Sequence, residues 1–134
     1  MLLLPTLVRM VVGICFRIHE EGGPTLDDEQ YREAIKDELT QKGLHFRCDE
    51  EVELEYLGKV VDRHVIDFII EDKVLLDTKG KDLLHHKMFY KQMTAYLLKE
   101  NLPLAFVVDF HSHKLQIRRI INPNYNYQLQ EVSE

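Results

Sequence analysis

Long hydrophobic runs are missing from this chain. Its most apolar opening, Met1-Leu2-Leu3-Leu4-Pro5, has no basic residue ahead of it and no small-residue cleavage site. Arg9 and Arg17 then interrupt the stretch well short of the roughly 20 apolar residues that span a bilayer, so a helix lead-in is expected rather than a signal or a membrane anchor. Cysteine is scarce too. Cys15 and Cys48 form no CxxC or Cys/His zinc pattern and read as buried free thiols. A reducing, cytoplasmic compartment follows as the expectation. Basic residues are outnumbered, 17 Lys and Arg against 23 Asp and Glu, for a formal charge of -6. That balance argues against non-specific nucleic-acid binding by the whole surface and leaves room only for a local basic patch. No repeat or low-complexity segment is evident before the polar stretch 122–134. With 134 residues, 45% hydrophobic and 30% charged, the chain reads as one globular domain over residues 1–121 followed by a loosely held tail.

What is present is periodicity. Leu7, Val8, Val11, Val12, Cys15 and Ile18 recur at helical spacing, predicting an amphipathic helix over 6–20 that ends at Gly22-Gly23-Pro24. A second helix should start near Asp27 or Asp28, whose short carboxylates can cap free N–H groups. Tyr31, Ala34, Ile35 and Leu39 form its apolar stripe, and Gly43 can close it. The period then changes to two. Val52, Leu54 and Tyr56 alternate with Glu51, Glu53 and Glu55, predicting a strand with one wet face, and Leu57-Gly58-Lys59 turns the chain back. Residues 84–99 return to helical period with Met88, Met93, Tyr96 and Leu97 inward, stopped by Asn101 and Pro103. Leu104 to Val108 is a strand covered on both faces, His111-Ser112-His113 a turn, and Leu115 to Ile121 a last strand. The order α-α-β-β-β-α-β-β, a meander followed by a helical crossover, implies an α/β fold with a mixed central β-sheet flanked by helices.

The chemistry concentrates in Val65 to Lys79. Two apolar strands flank the polar turn Glu71-Asp72-Lys73, and Asp67 and Asp77 are equidistant from Asp72. Opposed side chains on antiparallel strands stand about 4.5–5.5 Å apart at Cβ and share a face. Lys79, two residues beyond Asp77, falls on that face as well. Two carboxylates and an ammonium so placed can hold a divalent metal and polarise a water. They can equally be a solvent-facing patch in which Lys79 neutralises the acids. Phe68, Ile70, Val74 and Leu76 alternate with them and belong to the core.

This order and these residues resemble the PD-(D/E)XK nuclease superfamily, and within it the small GxxExxY proteins, over roughly residues 10–121. Asp67 matches the core acid, Asp77-Thr78-Lys79 the D/E-x-K element, and Gln92 the glutamine of the following helix. Near the start, in Gly23-Pro24-Thr25-Leu26-Asp27-Asp28-Glu29-Gln30-Tyr31, the naming tyrosine is kept as Tyr31. Thr25 stands in place of the naming glycine and Asp28 in place of the glutamate. The resemblance implies a restriction-endonuclease-like core and a metal-dependent phosphodiesterase acting on nucleic acid, DNA before RNA. Asp67, Asp77, the carbonyl of Thr78 and Asp28 would be oxygen ligands for Mg2+ or Mn2+. Lys79 would orient the attacking water or stabilise developing charge, and Gln92 would hydrogen-bond a metal-bound water.

Other readings stand beside these. Asp28 is explained as well by helix capping, and Tyr31 and Tyr96 by packing. His85-His86 and His111-x-His113 lack a third ligand at suitable spacing and read as solvated loops, and His19 as a residue orienting the Gly-Gly-Pro break. Lys81, Lys87, Lys91, Arg118 and Arg119 are candidates for phosphate contacts or simply solvated charge. The competing functions are a nuclease-fold module that binds protein or nucleic acid without catalysis, and a homo-oligomer joined through the apolar stripe of the first helix.

Overall fold

The protein is described by a computed structural model covering residues 2–79 and 87–127. Helix α1, Leu4–Gly22, starts with Pro5 in its first turn, where a missing N–H costs nothing. Leu4, Leu7, Val11, Ile14, Cys15 and Ile18 are buried along it at three- and four-residue spacing. The stripe considered above as a dimerisation face is therefore packed into the molecule's own core. Helix α2, Asp28–Gln41, is capped by Asp27 and not by Asp28. Asp27 Oδ1 accepts from Gln30 N at 2.8 Å while Gln30 Oε1 accepts from Asp27 N at 2.9 Å, a reciprocal capping box. Tyr31, Ile35 and Leu39 are buried along α2, and Gly43 follows its end at φ 69°, a conformation glycine adopts without a Cβ clash.

Strands β1, Phe46–Tyr56, and β2, Lys59–Ile70, form a long hairpin closed by Leu57 and Gly58. Both turn residues have positive φ, 51° and 79°, as the twist-matched two-residue hairpin turn requires. The next turn leads into β3, Val74–Asp77, and again has two positive φ values, at Glu71 and Asp72. Helix α3, Lys87–Glu100, crosses over to β4, Leu104–Asp109, which pairs parallel with β3. Strand β5, Gln116–Ile121, returns antiparallel, giving a five-stranded mixed sheet in the order β1-β2-β3-β4-β5.

Helices α1 and α2 cover one face through Phe68, Ile70, Val74, Leu76, Phe106 and Val108. Helix α3 covers the other through Ile66, Ile69, Leu75, Ala105 and Val107. Besides a register shift between Leu54 and Glu55, the strict alternation of faces breaks in the middle of the hairpin. Phe68 belongs to the α1/α2 side, yet Ile66, two residues earlier, joins the α3 side. The neighbouring strand does the same, with Cys48 on the first side and Val52 on the second. Between the pairs Cys48↔Phe68 and Glu50↔Ile66 lies Asp49 at φ 55°. The hairpin therefore reverses its faces at Asp49 and Asp67.

Three expectations change. Tyr56 is 68% exposed because the β1–β2 hairpin outruns the helices meant to cover it. Met88, expected inward, is 55% exposed, and Phe89 takes the buried position. Nor does the chain leave the domain at residue 121. Asn122 is buried and its side-chain amide donates to the carbonyls of Leu97 and Leu102, at 3.0 and 2.9 Å. Tyr127 hydroxyl contacts the carbonyls of Pro103 and Asn122, so the packed region continues to that residue. Lys81, His85, His86 and most of the proposed tail lie outside the described residues. Among the described residues, no helix is long and apolar enough to cross a membrane.

Candidate active site

The acids meet where β3 ends and the β1–β2 hairpin runs on alone. The pairs Phe68↔Leu76, Ile69↔Leu75 and Ile70↔Val74 place the centre of symmetry at Asp72, and the same register brings Asp67 opposite Asp77. Both are buried, 2% and 0% exposed, so this is no solvent-facing patch. Burial of two carboxylates demands compensation, because an unpaired buried charge is costly.

Each acid divides its oxygens between a fixed anchor and a shared cation. Asp67 Oδ2 accepts from the backbone N–H of Thr78 at 2.7 Å and from its hydroxyl at 2.6 Å. Asp77 Oδ2 is met by His64 Nε2 at 2.6 Å. The Oδ1 atoms converge on Lys79 Nζ, 2.9 Å from Asp67 and 3.2 Å from Asp77. Lys79 N–H also donates to Asp77 Oδ1 at 2.9 Å. Burial pushes the Asp67 carboxyl up, but the hydrogen bonds from Thr78 and Lys79 and the Lys79 charge outweigh it. Its pKa therefore lies below the usual carboxylate range.

The structure brings together Asp67, Asp77, Thr78 and Lys79 from the expected set. Thr78 acts on Asp67 through its N–H and hydroxyl. Gln92 is half-buried on α3, three residues after Phe89, and is not among the donors to either acid. Asp28 stands apart, its side chain 70% exposed and its Oδ1 2.6 Å from His111 Nε2. His19 reaches the carbonyl of Ser112 at 2.9 Å and so holds the β4–β5 turn, not the Gly-Gly-Pro loop. Arg119 lies over the Phe106 ring, 5.6 Å from its centroid. Among the described residues, no group of three or more His, Cys, Asp or Glu side chains is placed to hold a metal ion.

Two residues at the site escaped the sequence reading. His64 packs edge-on against Phe89, 5.2 Å between centroids, and orients Asp77. Counting by two from Asp67 puts His64 on the opposite face, and the reversal at Asp49 and Asp67 cancels that count. Arg32 on α2 places NH1 3.7 Å from Asp67 Oδ1. Nothing in the local sequence of α2 announces that contact.

The sequence model of the PD-(D/E)XK nuclease superfamily matches residues 5–120, from the first turn of α1 to the end of β5. The chain belongs to the PD-(D/E)XK nuclease superfamily. No curated protein and no solved structure matches it. As in a restriction-endonuclease-like fold, the mixed five-stranded sheet of this nuclease-superfamily chain lies between helices and carries the acids on adjacent strands.

PD-(D/E)XK nucleases generally use divalent metals, and the donor chemistry here fits one. Two carboxylates, each pinned through Oδ2, direct their Oδ1 atoms at one positive centre, which is the Lys79 ammonium. Hard oxygen donors of this kind suit a divalent ion that binds through one or two carboxylates and retains waters.

Proposed function

We propose that the protein is a Mg2+- or Mn2+-dependent nuclease that hydrolyses phosphodiester bonds of DNA, with RNA the less favoured substrate. The observation that carries this reading is the convergence of the Asp67 and Asp77 Oδ1 atoms on a single cation, in a chain of this superfamily. Asp67 and Asp77 would hold the ion, which when bound supplies an acidified water and neutralises phosphate charge. Thr78 keeps Asp67 from rotating, and His64 does the same for Asp77. Lys79 is close enough to both carboxylates to hydrogen-bond a water or a phosphoryl oxygen held between them. Gln92 would contact that water from α3. Tyr31, stacked on Phe110 at 4.5 Å, is the kept member of the GxxExxY pattern and supports assignment to that branch.

The test is cleavage of supercoiled and linear DNA with Mn2+ by the wild type, Asp77→Ala and Lys79→Ala, together with calorimetric titration of Mn2+. Cleavage and binding that both vanish in Asp77→Ala are expected. Failure of the wild type to bind Mn2+ even beside DNA would sink the reading. A second reading, a nuclease-fold module that binds without cutting, is favoured by one observation. Lys79 and Arg32 together neutralise the acids, and the chain as a whole is acidic. DNA binding without cleavage in any divalent ion would select it.

A further inference from the structure

Arg32 is held in place by more of the fold than a surface arginine needs. Its predecessor Tyr31 stacks on Phe110 with ring planes 11° apart and accepts from Leu26 N–H through its hydroxyl at 3.2 Å. One turn earlier, Asp28 meets His111, two residues past the end of β4. These contacts fasten the first turns of α2 to the C-terminal end of β4, beside the strand that carries Asp77. The Arg32 side chain is 31% exposed, so its guanidinium bridges the buried acid and the solvent. At 3.7 Å, NH1 forms an ion pair with Asp67 Oδ1 but not a hydrogen bond. NH2 hydrogen-bonds Glu29, whose own side chain is 61% exposed. A guanidinium has five N–H donors, so the partly exposed fork keeps donors beyond these two contacts.

The charges there leave little freedom. Asp67 and Asp77 are already balanced by Lys79 and Arg32, so an added divalent ion would meet two cations. Those cations relax only if an anion outside the carboxylates takes them. A phosphodiester is such an anion, and guanidinium binds phosphate oxygens in a bidentate manner.

We propose that Arg32 is a substrate-binding residue that leaves Asp67 for a backbone phosphate of the nucleic acid. This rests on the nuclease reading and adds the group that holds the substrate at the mouth of the site. Metal and nucleic acid then bind cooperatively, since each removes an obstacle to the other.

The probe is a fluorescein-labelled DNA duplex of about 20 base pairs, titrated by anisotropy in EDTA and in Ca2+ at several salt concentrations, with Mn2+ titrated separately by calorimetry. In Arg32→Ala the duplex should bind about tenfold more weakly, as expected on losing one charge-assisted phosphate contact, and the salt slope should fall by about one. Mn2+ should bind the DNA-free variant more tightly than the wild type, because a repelling charge has gone. Arg32→Lys should keep most of the salt slope while losing affinity. Unchanged duplex affinity in Arg32→Ala, with a wild type that binds both ligands, overturns the proposal and leaves the nuclease reading intact. Parallel losses of duplex and Mn2+ affinity would mark a structural defect and also overturn it. A wild type that binds neither duplex nor Mn2+ overturns both.

Discussion

Asp67 illustrates how one residue links chemistry to stability. Its carboxyl is held below the ordinary range of about 3.9, so in the folded state it stays ionised where an unfolded chain would protonate. A depressed carboxyl stabilises the fold above its unfolded pKa, and that contribution disappears as pH falls through the folded value. Urea denaturation of the wild type and Asp67→Asn between pH 7 and pH 3 should show this. The gap between the two should be constant above about pH 5 and shrink below about pH 4. A gap that widens on acidification would contradict the assigned ionisation. His64 gives the matching prediction for Asp77. Removing its hydrogen bond in His64→Ala leaves Asp77 Oδ2 without its anchor, so on the proposed metal-binding role of Asp77 the Mn2+ affinity should drop by about 10- to 100-fold. Retention of wild-type affinity would reduce His64 to a packing residue. Cys15 is inert by contrast. Burial pushes its thiol up to about 12, so iodoacetamide at neutral pH should leave it unmodified until the protein is denatured. Mass spectrometry of the native, treated protein checks this directly.

At the level of elements, the β1–β2 hairpin carries an avoidable cost. Leu57 sits at φ 51° with 85% of its surface in water, a left-handed conformation that a branched side chain adopts poorly. Asn tolerates that region, and Asn-Gly is the preferred pair for such a turn. Leu57→Asn should therefore stabilise the protein by about 0.5–1 kcal/mol, read as a shift of the denaturation midpoint with unchanged slope. Destabilisation would mean that Leu57 packs against something it does not touch here. Legibility differed among the elements for physical reasons. The capping box announces itself as Asp27 followed three residues later by Gln30, so the start of α2 was readable to within a residue. The inward face of α3 was readable at Met93, Tyr96 and Leu97, where the whole helix packs, but not at Met88 in its first turn.

For the whole molecule, two hydrophobic layers enclose the sheet, and β3 lies between them with all four residues buried. Local sequence determined a good deal of this. The turn at Asp72 pairs residues at equal distances on either side, so the opposition of Asp67 and Asp77 follows from counting along one hairpin. The change of period from 3.6 to 2 and back likewise marks the order of helices and strands, because each element must turn its apolar side inward. Tertiary structure decided what counting could not reach. Burial of the acid pair depends on layers from both ends of the chain. The contact of His64 with Asp77 depends on a face reversal set by Asp49 on the neighbouring strand, and that of Arg32 with Asp67 on a helix fastened to β4. These contacts join residues far apart in sequence, and only the packing of complete elements brings their charges within reach.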